Sequence, residues 1–387
     1  MGVGEIRGIR GIREIGIMLK IIFLSPVHPL LTLGFPLPKW QMQSSWVRAL
    51  QKAGADVKVV RYTPGGKARV SLIERALWNF AVILKAIAPV VRSPLPWSTS
   101  TRRGVATTGF GRTGDFFLRK KTGPSEGDRS STVIIYSLGA DVLFPQTLRL
   151  IKWLTKAPLV ILSGVSPVSD GNPRERAIAK FADLAAVNDE GHAQEWRKLG
   201  AKKTVVLPIS GVDPELHFRR IRGIRGIRGI RDIDVLFAGT VTPERREFLA
   251  ELRKLLPETV KFVVKEFVWE EEYAGLMSRA KIVLNPIRPE MKNGANLRMF
   301  EIPAFGALEL GSYGKKEWLT PGKEMLVYKD AEEAAGLIAK YLKDGKKREE
   351  MVERGKGRVF KEHKFEDRAR NLMGIIGEIR GIRGLRK

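Results

Sequence analysis

The stretch Asn293–Ala307, NGANLRMFEIPAFGA, sets amide, guanidinium and carboxylate side chains (Asn293, Asn296, Arg298 and Glu301) ahead of a small-residue end at Gly306 and Ala307. It follows an apolar run, Lys281–Asn285, with the composition of a buried strand. A polar cluster just past the carboxyl end of a strand is where open α/β sheets bind ligands. Asn296 is placed to cap a short helix and Gly306 to close it. Pro303 predicts that this helix starts late or kinks, because an interior proline removes a hydrogen bond and crowds the preceding turn. An ordinary capped helix with one solvated ion pair would use the same residues, so local chemistry alone leaves both readings open.

A second cluster is Phe237-Ala238-Gly239-Thr240 followed by Pro243-Glu244-Arg245-Arg246. A tight glycine turn entering a helix presents N–H groups and the positive end of the helix dipole, which favours phosphate. Arg245 and Arg246 add guanidinium forks that match phosphate oxygens in pairs, and Lys265, leaving the next strand, adds a point charge. Helical spacing leaves at least one of the two arginines on a solvated face. A literal G-x-G-x-x-G at Gly109, Gly111 and Gly114 is a weaker signal: no strand precedes it, and the basic segment Arg119–Lys121 follows where a helix should pack.

The elements that must position these groups read as alternating strands and helices. Strands are predicted at Lys20–Ser25, Asp56–Tyr62, Thr132–Tyr136, Leu159–Leu162, Leu184–Val187 and Thr204–Leu207, with helices at Trp40–Lys52, Gln146–Thr155, Arg174–Phe181 and Glu190–Leu199. Leu207-Pro208 and Gly211-Val212-Asp213-Pro214 then mark the end of a domain. A second series follows, with strands at Ile233–Ala238, Val260–Val264, Lys281–Asn285 and Leu308–Leu310 and helices at Pro243–Leu255, Glu270–Ser278, Ala331–Leu342, Lys346–Lys361 and Phe365–Ile376. Strand, helix, strand at this spacing implies parallel sheets. The fold class is therefore α/β, two facing Rossmann-like domains with a cleft between them. At 387 residues the chain exceeds the length at which one core stops growing, roughly 250–300. The division reads as a tail at 1–16, a first domain at 17–212 with a long loop at 94–131, a linker at 213–231, a second domain at 232–361, a return helix at 362–376 and a tail at 377–387.

The net charge of +26 would ordinarily point to nucleic acid or an anionic membrane. Three Ile-Arg-Gly tracts, at Ile6–Arg13, Ile221–Arg231 and Ile379–Arg386, carry +10 of it with their flanks. Their period of three suits neither helix nor strand, and glycine at every third place raises the entropy lost on folding, so they read as flexible low-complexity expansions. A basic arm touching phosphates is the alternative. The chain has no cysteine, which excludes disulfides, thiolate catalysis and cysteine-ligated zinc. Abundant Lys, Arg and Glu with few Gln suit a thermophile's intracellular protein. Ile15–Leu24 is short, contains Lys20 and ends in Ser-Pro, so no secretory signal is expected and the reading is cytoplasmic. The most membrane-like segment, Ala76–Val91, is interrupted by Asn79, Lys85 and Pro89 and falls short of the ~20 residues a span needs. It reads as a core helix or as a surface-lying one, with Trp78 and Phe80 inserted and Arg75, Lys85 and Arg92 at headgroups.

The segment Leu207–Ile376 resembles the donor half of GT-B glycosyltransferases, most closely the group related to the spore-maturation CgeB proteins. LPISGVDPELHF, DIDVLFAGTVTPERREFL, NLRMFEIPAFGA and PGKEMLVYKDAEEAAGLIAKYL carry the resemblance in order and spacing. It implies a nucleotide-diphosphate sugar as co-substrate held by the second domain, a glycan, lipid or protein acceptor held mainly by the first, reaction in the cleft, and a final helix that crosses back to set closure. In related retaining enzymes two glutamates stand eight positions apart, the later on the ribose hydroxyls and the earlier near the sugar. Glu301 matches the later, and Asn293 stands where the earlier would be.

The resemblance further implies that Arg245 or Arg246 takes the diphosphate in place of a metal, with no cofactor. Gly239, Lys265, Asn296 and Arg298 complete the candidate donor contacts. Backbone around Phe267–Trp269 is a candidate to hold the base, with Trp269 either a stacking surface or a core aromatic. His28 and Asp170, on loops at the carboxyl edge of the first domain, are candidates for work near the acceptor, where a base must reach the acceptor hydroxyl. The reading is a metal-independent glycosyltransferase, with peripheral membrane contact as a further partner and nucleic acid disfavoured. The rivals are a basic scaffold on nucleic acid or membrane, and a sugar-nucleotide epimerase of the same fold.

Overall fold

The computed structural model describes residues 19–25, 42–61, 72–88, 131–137, 143–164, 173–219, 231–268, 270–287 and 294–381. The first domain holds β1 (Lys20–Ser25), α1 (Met42–Lys52), β2 (Asp56–Arg61), α2 (Leu72–Ile87), β3 (Thr132–Ser137), α3 (Pro145–Thr155), β4 (Leu159–Ser163), α4 (Pro173–Ala179), β5 (Leu184–Val187), α5 (Glu190–Lys198) and β6 (Thr204–Val206). A wide turn at Glu215–Arg219 leads into the second domain. There follow β7 (Ile233–Ala238), α6 (Pro243–Leu255), β8 (Phe262–Lys265), α7 (Glu270–Arg279), β9 (Ala280–Asn285), α8 (Leu297–Ala304), β10 (Leu308–Gly311), β11 (Leu326–Val327), α9 (Ala331–Lys343), α10 (Gly345–Glu362) and α11 (Phe365–Ile379).

Every strand pair is parallel, in the orders β2-β1-β3-β4-β5-β6 and β11-β10-β9-β7-β8. The expected α/β class with two Rossmann-like domains is the observed one. The central strands are buried because helices cover both faces, which is why β1, β3, β4 and β5 read as near-continuous apolar runs, while the edge strands β6 and β8 are partly exposed. The side on which successive strands are added reverses between β1 and β3 in the first sheet and between β7 and β9 in the second. A crevice opens beyond the strands' carboxyl ends at such a switch point.

Two crossings join the domains. Val212 pairs with Lys364 in an isolated parallel bridge, in which the Val212 N–H donates to His363 O and the Phe365 N–H to Val212 O. Helix α11 then packs its Phe365, Ala369, Leu372 and Met373 into the core of the first domain, against Trp46 and Leu50 of α1. Trp46 donates its indole N–H to Ile209 O at 2.7 Å and meets Phe365 edge-on at 6.0 Å.

Several expectations are corrected. The segment expected as a helix over Ala76–Val91 is helical over Leu72–Ile87, stopping short of Pro89, since the residue before a proline disfavours helix. Pro303 does not delay α8, which starts at Leu297 behind its Asn296 cap. It occupies the last turn, and the helix closes immediately after it in a Schellman motif: Ala307 N–H donates to Ile302 O, Gly306 N–H to Pro303 O, and Gly306 takes φ 77°. The short strand β11 and the turn at Glu215–Arg219 are too brief to leave a periodic signature.

The tracts are also not wholly peripheral. Arg231, the last residue of the second, donates to Ala280 O at 2.6 Å and to Ser278 O at 3.4 Å, carbonyls left open where α7 ends. Ile379 packs on the first core and Arg380 donates to Thr132 O. The remainder of the tracts lies outside the described residues, as does the Gly109–Gly114 motif.

A Cβ on Gly306 would stand 2.7 Å from the Arg231 guanidinium as well as straining a left-handed φ. Gly306→Ala is therefore expected to destabilise the chain by about 1–3 kcal/mol, read as a lower urea midpoint. An unchanged midpoint would remove both the left-handed cap and the Arg231 anchor from the account.

Candidate functional site

The switch point of the second sheet is where the two sequence clusters meet. Asn285 ends β9, and its side chain pairs reciprocally with Asn296, the N-cap of α8: Asn285 Nδ2 donates to Asn296 Oδ1 at 3.0 Å and Asn296 Nδ2 to Asn285 Oδ1 at 2.7 Å. Asn296 Oδ1 also accepts the Met299 N–H at 2.9 Å, and the second proton of Asn285 Nδ2 goes to Glu309 Oε1 at 2.7 Å. Every amide group of the pair is used, so the start of α8 is pinned to the strand end.

That fixes where Glu301 points. Glu301 is buried, and its Oε2 accepts the Tyr273 hydroxyl at 2.8 Å. Its Oε1 faces His217 Nε2 at 3.5 Å. His217 Nδ1 lies 3.0 Å from Asp213 N and 2.9 Å from Asp213 O, which holds the ring so that its Nε2 edge is turned toward the carboxylate. Burial, reinforced by the Glu301 charge, raises the Tyr273 phenol well above its ordinary pKa, while the nearby Arg298 guanidinium opposes the rise. The chain of contacts runs from Arg298 through Tyr273 to Glu301 and on to His217 in the linker turn.

Arg298 is half-buried and lies 6.0 Å over the Phe237 ring, against Gly239 at the end of β7. A side chain at Gly239 would occupy the space of that guanidinium. Arg298 thus brings a cation from α8 to the carboxyl end of β7, where the sequence placed the phosphate turn. Arg245 is buried and differently employed. It donates to Thr240 O at 2.9 Å and to Pro286 O at 2.6 Å, clipping the loops after β7 and β9 across the switch point. Arg246 and Lys265 are exposed at the same edge. Two amides of the turn into α6 are already engaged: Val241 N–H donates to Glu266 Oε1 at 2.6 Å, and Arg245 N–H to Thr242 Oγ1 at 3.4 Å. The free donors at this end are therefore mainly side chains.

The first domain meets this site through Asn188, at the end of β5. Its Nδ2 donates to Gly164 O at 2.8 Å and reaches Ala295 O at 3.4 Å, and a Cβ on Gly294 would stand 2.8 Å from its Cβ. The loop before α8 is thus in contact with the opposite domain. His28, Asp170, Asn293 and Trp269 lie outside the described residues. Phe267 is exposed with φ 54°.

Tyr273, His217, Asn285, Glu309 and Asn188 belong to the arrangement and were not singled out from the sequence. His217 sits inside the quoted segment LPISGVDPELHF, and Asn285 ends a strand that was recognised. Tyr273 and Glu309 carried no signal, being one tyrosine on a charged helix and one glutamate in a four-residue strand. Among the described residues no group of three or more His, Asp or Glu is gathered to hold a metal ion.

Burial pushes the Glu309 carboxyl up to about 8 from an ordinary 4.5, opposed by the Asn285 hydrogen bond. Between those values the folded protein keeps a proton that the unfolded chain has released, so this group's contribution to stability falls as pH rises through the interval. Glu309→Gln, neutral throughout, is expected to flatten that decline. Urea midpoints measured across the interval check it, and an unaltered slope would mean that Glu309 is ionised in the fold.

A glycosyl transferase-like family profile matches residues 224–374, which contain the whole second sheet and both clusters. No curated protein matches the chain. HepE from Anabaena, solved with UDP-glucose, is 13% identical with a TM-score of 0.55 over 93% of this chain and 100% of its own. Sucrose-phosphate synthase from Thermosynechococcus elongatus is 14% identical, with a TM-score of 0.55 over 93% of this chain and 99% of its own. AviGT4, a glycosyltransferase involved in avilamycin A biosynthesis, is 12% identical, with a TM-score of 0.51 over 94% of this chain and 98% of its own. Likeness at these identities establishes the GT-B fold.

Proposed function

We propose that this protein is a glycosyltransferase that moves a sugar from a nucleotide-diphosphate donor, bound at the switch point of the second sheet, to an acceptor held by the first domain. The observation that carries the reading is Glu301, a buried carboxylate beside the switch point of the second sheet within a family-matched segment, linked through Tyr273 to a guanidinium at the β7 end. The match to a glycosyl transferase-like family and the likeness to a structure holding UDP-glucose support it.

In this reading Glu301 accepts from the two ribose hydroxyls, which replace donors it now uses. Arg298, with Arg246 and Lys265, faces the diphosphate. Transfer breaks the bond between the anomeric carbon and the diphosphate oxygen, and the electron pair leaves with the nucleoside diphosphate. A new bond forms to an acceptor hydroxyl oxygen, whose proton goes to a base. Cations fixed at the diphosphate stabilise the charge that develops there, which is how the chain would work without a metal ion. Asn293, His28 and Asp170 are retained as the candidates nearest the sugar and acceptor. The CgeB-like grouping and a cytoplasmic setting belong to the same proposal.

Three measurements test it. Incubation with a panel of UDP- and GDP-sugars is expected to release nucleoside diphosphate and free sugar slowly, hydrolysis standing in for transfer. No binding of any nucleotide sugar would leave a non-catalytic scaffold, and conversion to an epimeric sugar would replace transfer by epimerisation. Arg298→Ala is expected to weaken diphosphate binding by calorimetry by about 1.5–3 kcal/mol, the worth of a charge-assisted hydrogen bond. Arg245→Ala, which removes a backbone clip, is expected to lower thermal stability more than it lowers nucleotide affinity, and the opposite order would put Arg245 on the phosphate.

A further inference from the structure

Helices α2 and α3 lie side by side on one face of the first sheet, sharing a core through Val82, Ala86, Leu148 and Ile151. Their axial register is fixed by Asn79, whose Oδ1 accepts the Phe144 N–H at 2.8 Å and the Thr147 hydroxyl at 2.7 Å. A side chain of α2 thereby caps α3, which has no cap of its own. Both helices run against parallel strands and so run the same way. At a rise of about 1.5 Å per residue, Leu84 comes level with the middle of α3 and the two helices end together.

The outer surface of this pair is apolar. Leu77, Phe80 and Leu84 form one stripe on α2 and are 65%, 60% and 50% exposed, while Leu150, Trp153 and Leu154 form another on α3 and are 40%, 63% and 38% exposed. Such a patch on one face of a soluble domain marks an interaction surface. The sequence expectation is corrected in one respect: Trp78 turns inward onto the core, and Leu77 stands outward beside Phe80.

Charge identifies the partner. At the C-terminal end of the stripes is a hollow of about 560 Å³ lined by Arg149, Lys152, Trp153, Lys156, Asp183 and Arg380, among others. Its carboxylate is neutralised, with Asp183 paired to Lys152 at 2.6 Å and to Lys202 at 2.9 Å. Arg149 and Lys156 are exposed, Lys156 Nζ lies 5.0 Å from the Trp153 ring centre, and α3 carries no acidic residue. Aliphatic and aromatic side chains flanked by exposed cations are the chemistry of a membrane interface with anionic headgroups. A second copy of the same face would oppose like charges, on a chain already at +26. Among the described residues no helix is long and apolar enough to cross a membrane, so the contact is peripheral.

We propose that the α2–α3 face is a docking surface for an anionic phospholipid membrane, with Leu77, Phe80, Leu84 and Trp153 entering the headgroup boundary and Arg149 and Lys156 meeting lipid phosphates. The surface lies away from the second-sheet switch point, so the inference stands independently of the donor assignment.

The test is co-sedimentation of the full chain with vesicles of phosphatidylcholine alone or with an equal part of phosphatidylglycerol. Binding to the anionic vesicles is expected, weakening as salt is added. Arg149→Gln and Lys156→Gln should each reduce it about fivefold, and Phe80→Ser and Trp153→Ser on the order of tenfold each, with thermal melting unchanged because these side chains are exposed. The proposal is overturned by absence of binding, by equal binding to phosphatidylcholine alone, or by full binding of the Phe80→Ser/Trp153→Ser variant. A dimer in solution that this variant dissociates would also overturn it, assigning the face to a second copy.

Discussion

A carboxylate taken out of water is stable only when donors replace the lost hydration, and the arrangement around Glu301 follows from that constraint. Its polar neighbours come from two separate segments, the Tyr273 hydroxyl that donates from α7 and the His217 ring in the linker turn, and the carboxylate itself rides on α8. Asn285 and Asn296 fix the start of α8 to the end of β9, so the helix cannot rotate without breaking a fully satisfied amide pair. The position of the helix that carries the acceptor is thus set before any ligand arrives, although a ribose must displace the carboxylate's present donors. Preorganisation of this kind spares a ligand the cost of ordering the site.

The same logic joins the two domains. The linker turn bearing His217 leaves the first domain beside Asp213, and Asp213 holds Arg48 of α1 through an ion pair of 2.6 Å. The return crossing lies against it through the Val212–Lys364 bridge. Beneath the bridge, Arg368 stacks 4.8 Å from the Phe300 ring and approaches His363 Nδ1 at 3.3 Å, and Gly211 leaves room for its guanidinium. Burial lowers Arg368 to about 9 and, with the Arg368 charge, His363 to about 4. His363 is therefore neutral and free to hydrogen-bond Trp318 O. Phe300 precedes Glu301, so the return crossing packs directly against the helix that carries the carboxylate.

Most of the fold was legible because fully buried parallel strands leave continuous apolar runs, and their alternation with helices allowed few architectures. Asn296 and Gly306 were legible as caps, since capping depends on local sequence. Arg245 shows where legibility stopped. Its type and place in a first turn suit phosphate equally well, and only the carbonyls of Thr240 and Pro286, forty-one residues apart from it in the latter case, show how it is employed. Tyr273 and His217 were invisible for the same reason: their partner is distant in the chain. Arg231 and Ile379–Arg380 were hidden by a repeat whose period suits no regular structure, although single members of it reach neighbouring carbonyls and cores.

The central claim, that Glu301 receives a donor's ribose, is tested most directly by comparing UDP with 2′,3′-dideoxy-UDP by calorimetry, in the native chain and in Glu301→Ala. Two hydrogen bonds to an ionised acceptor are worth at least about 1.5 kcal/mol, roughly tenfold in affinity. The native protein should prefer UDP by that factor or more, and Glu301→Ala should bind the two alike. A native protein that does not distinguish them, or a variant that keeps the preference, would contradict the account.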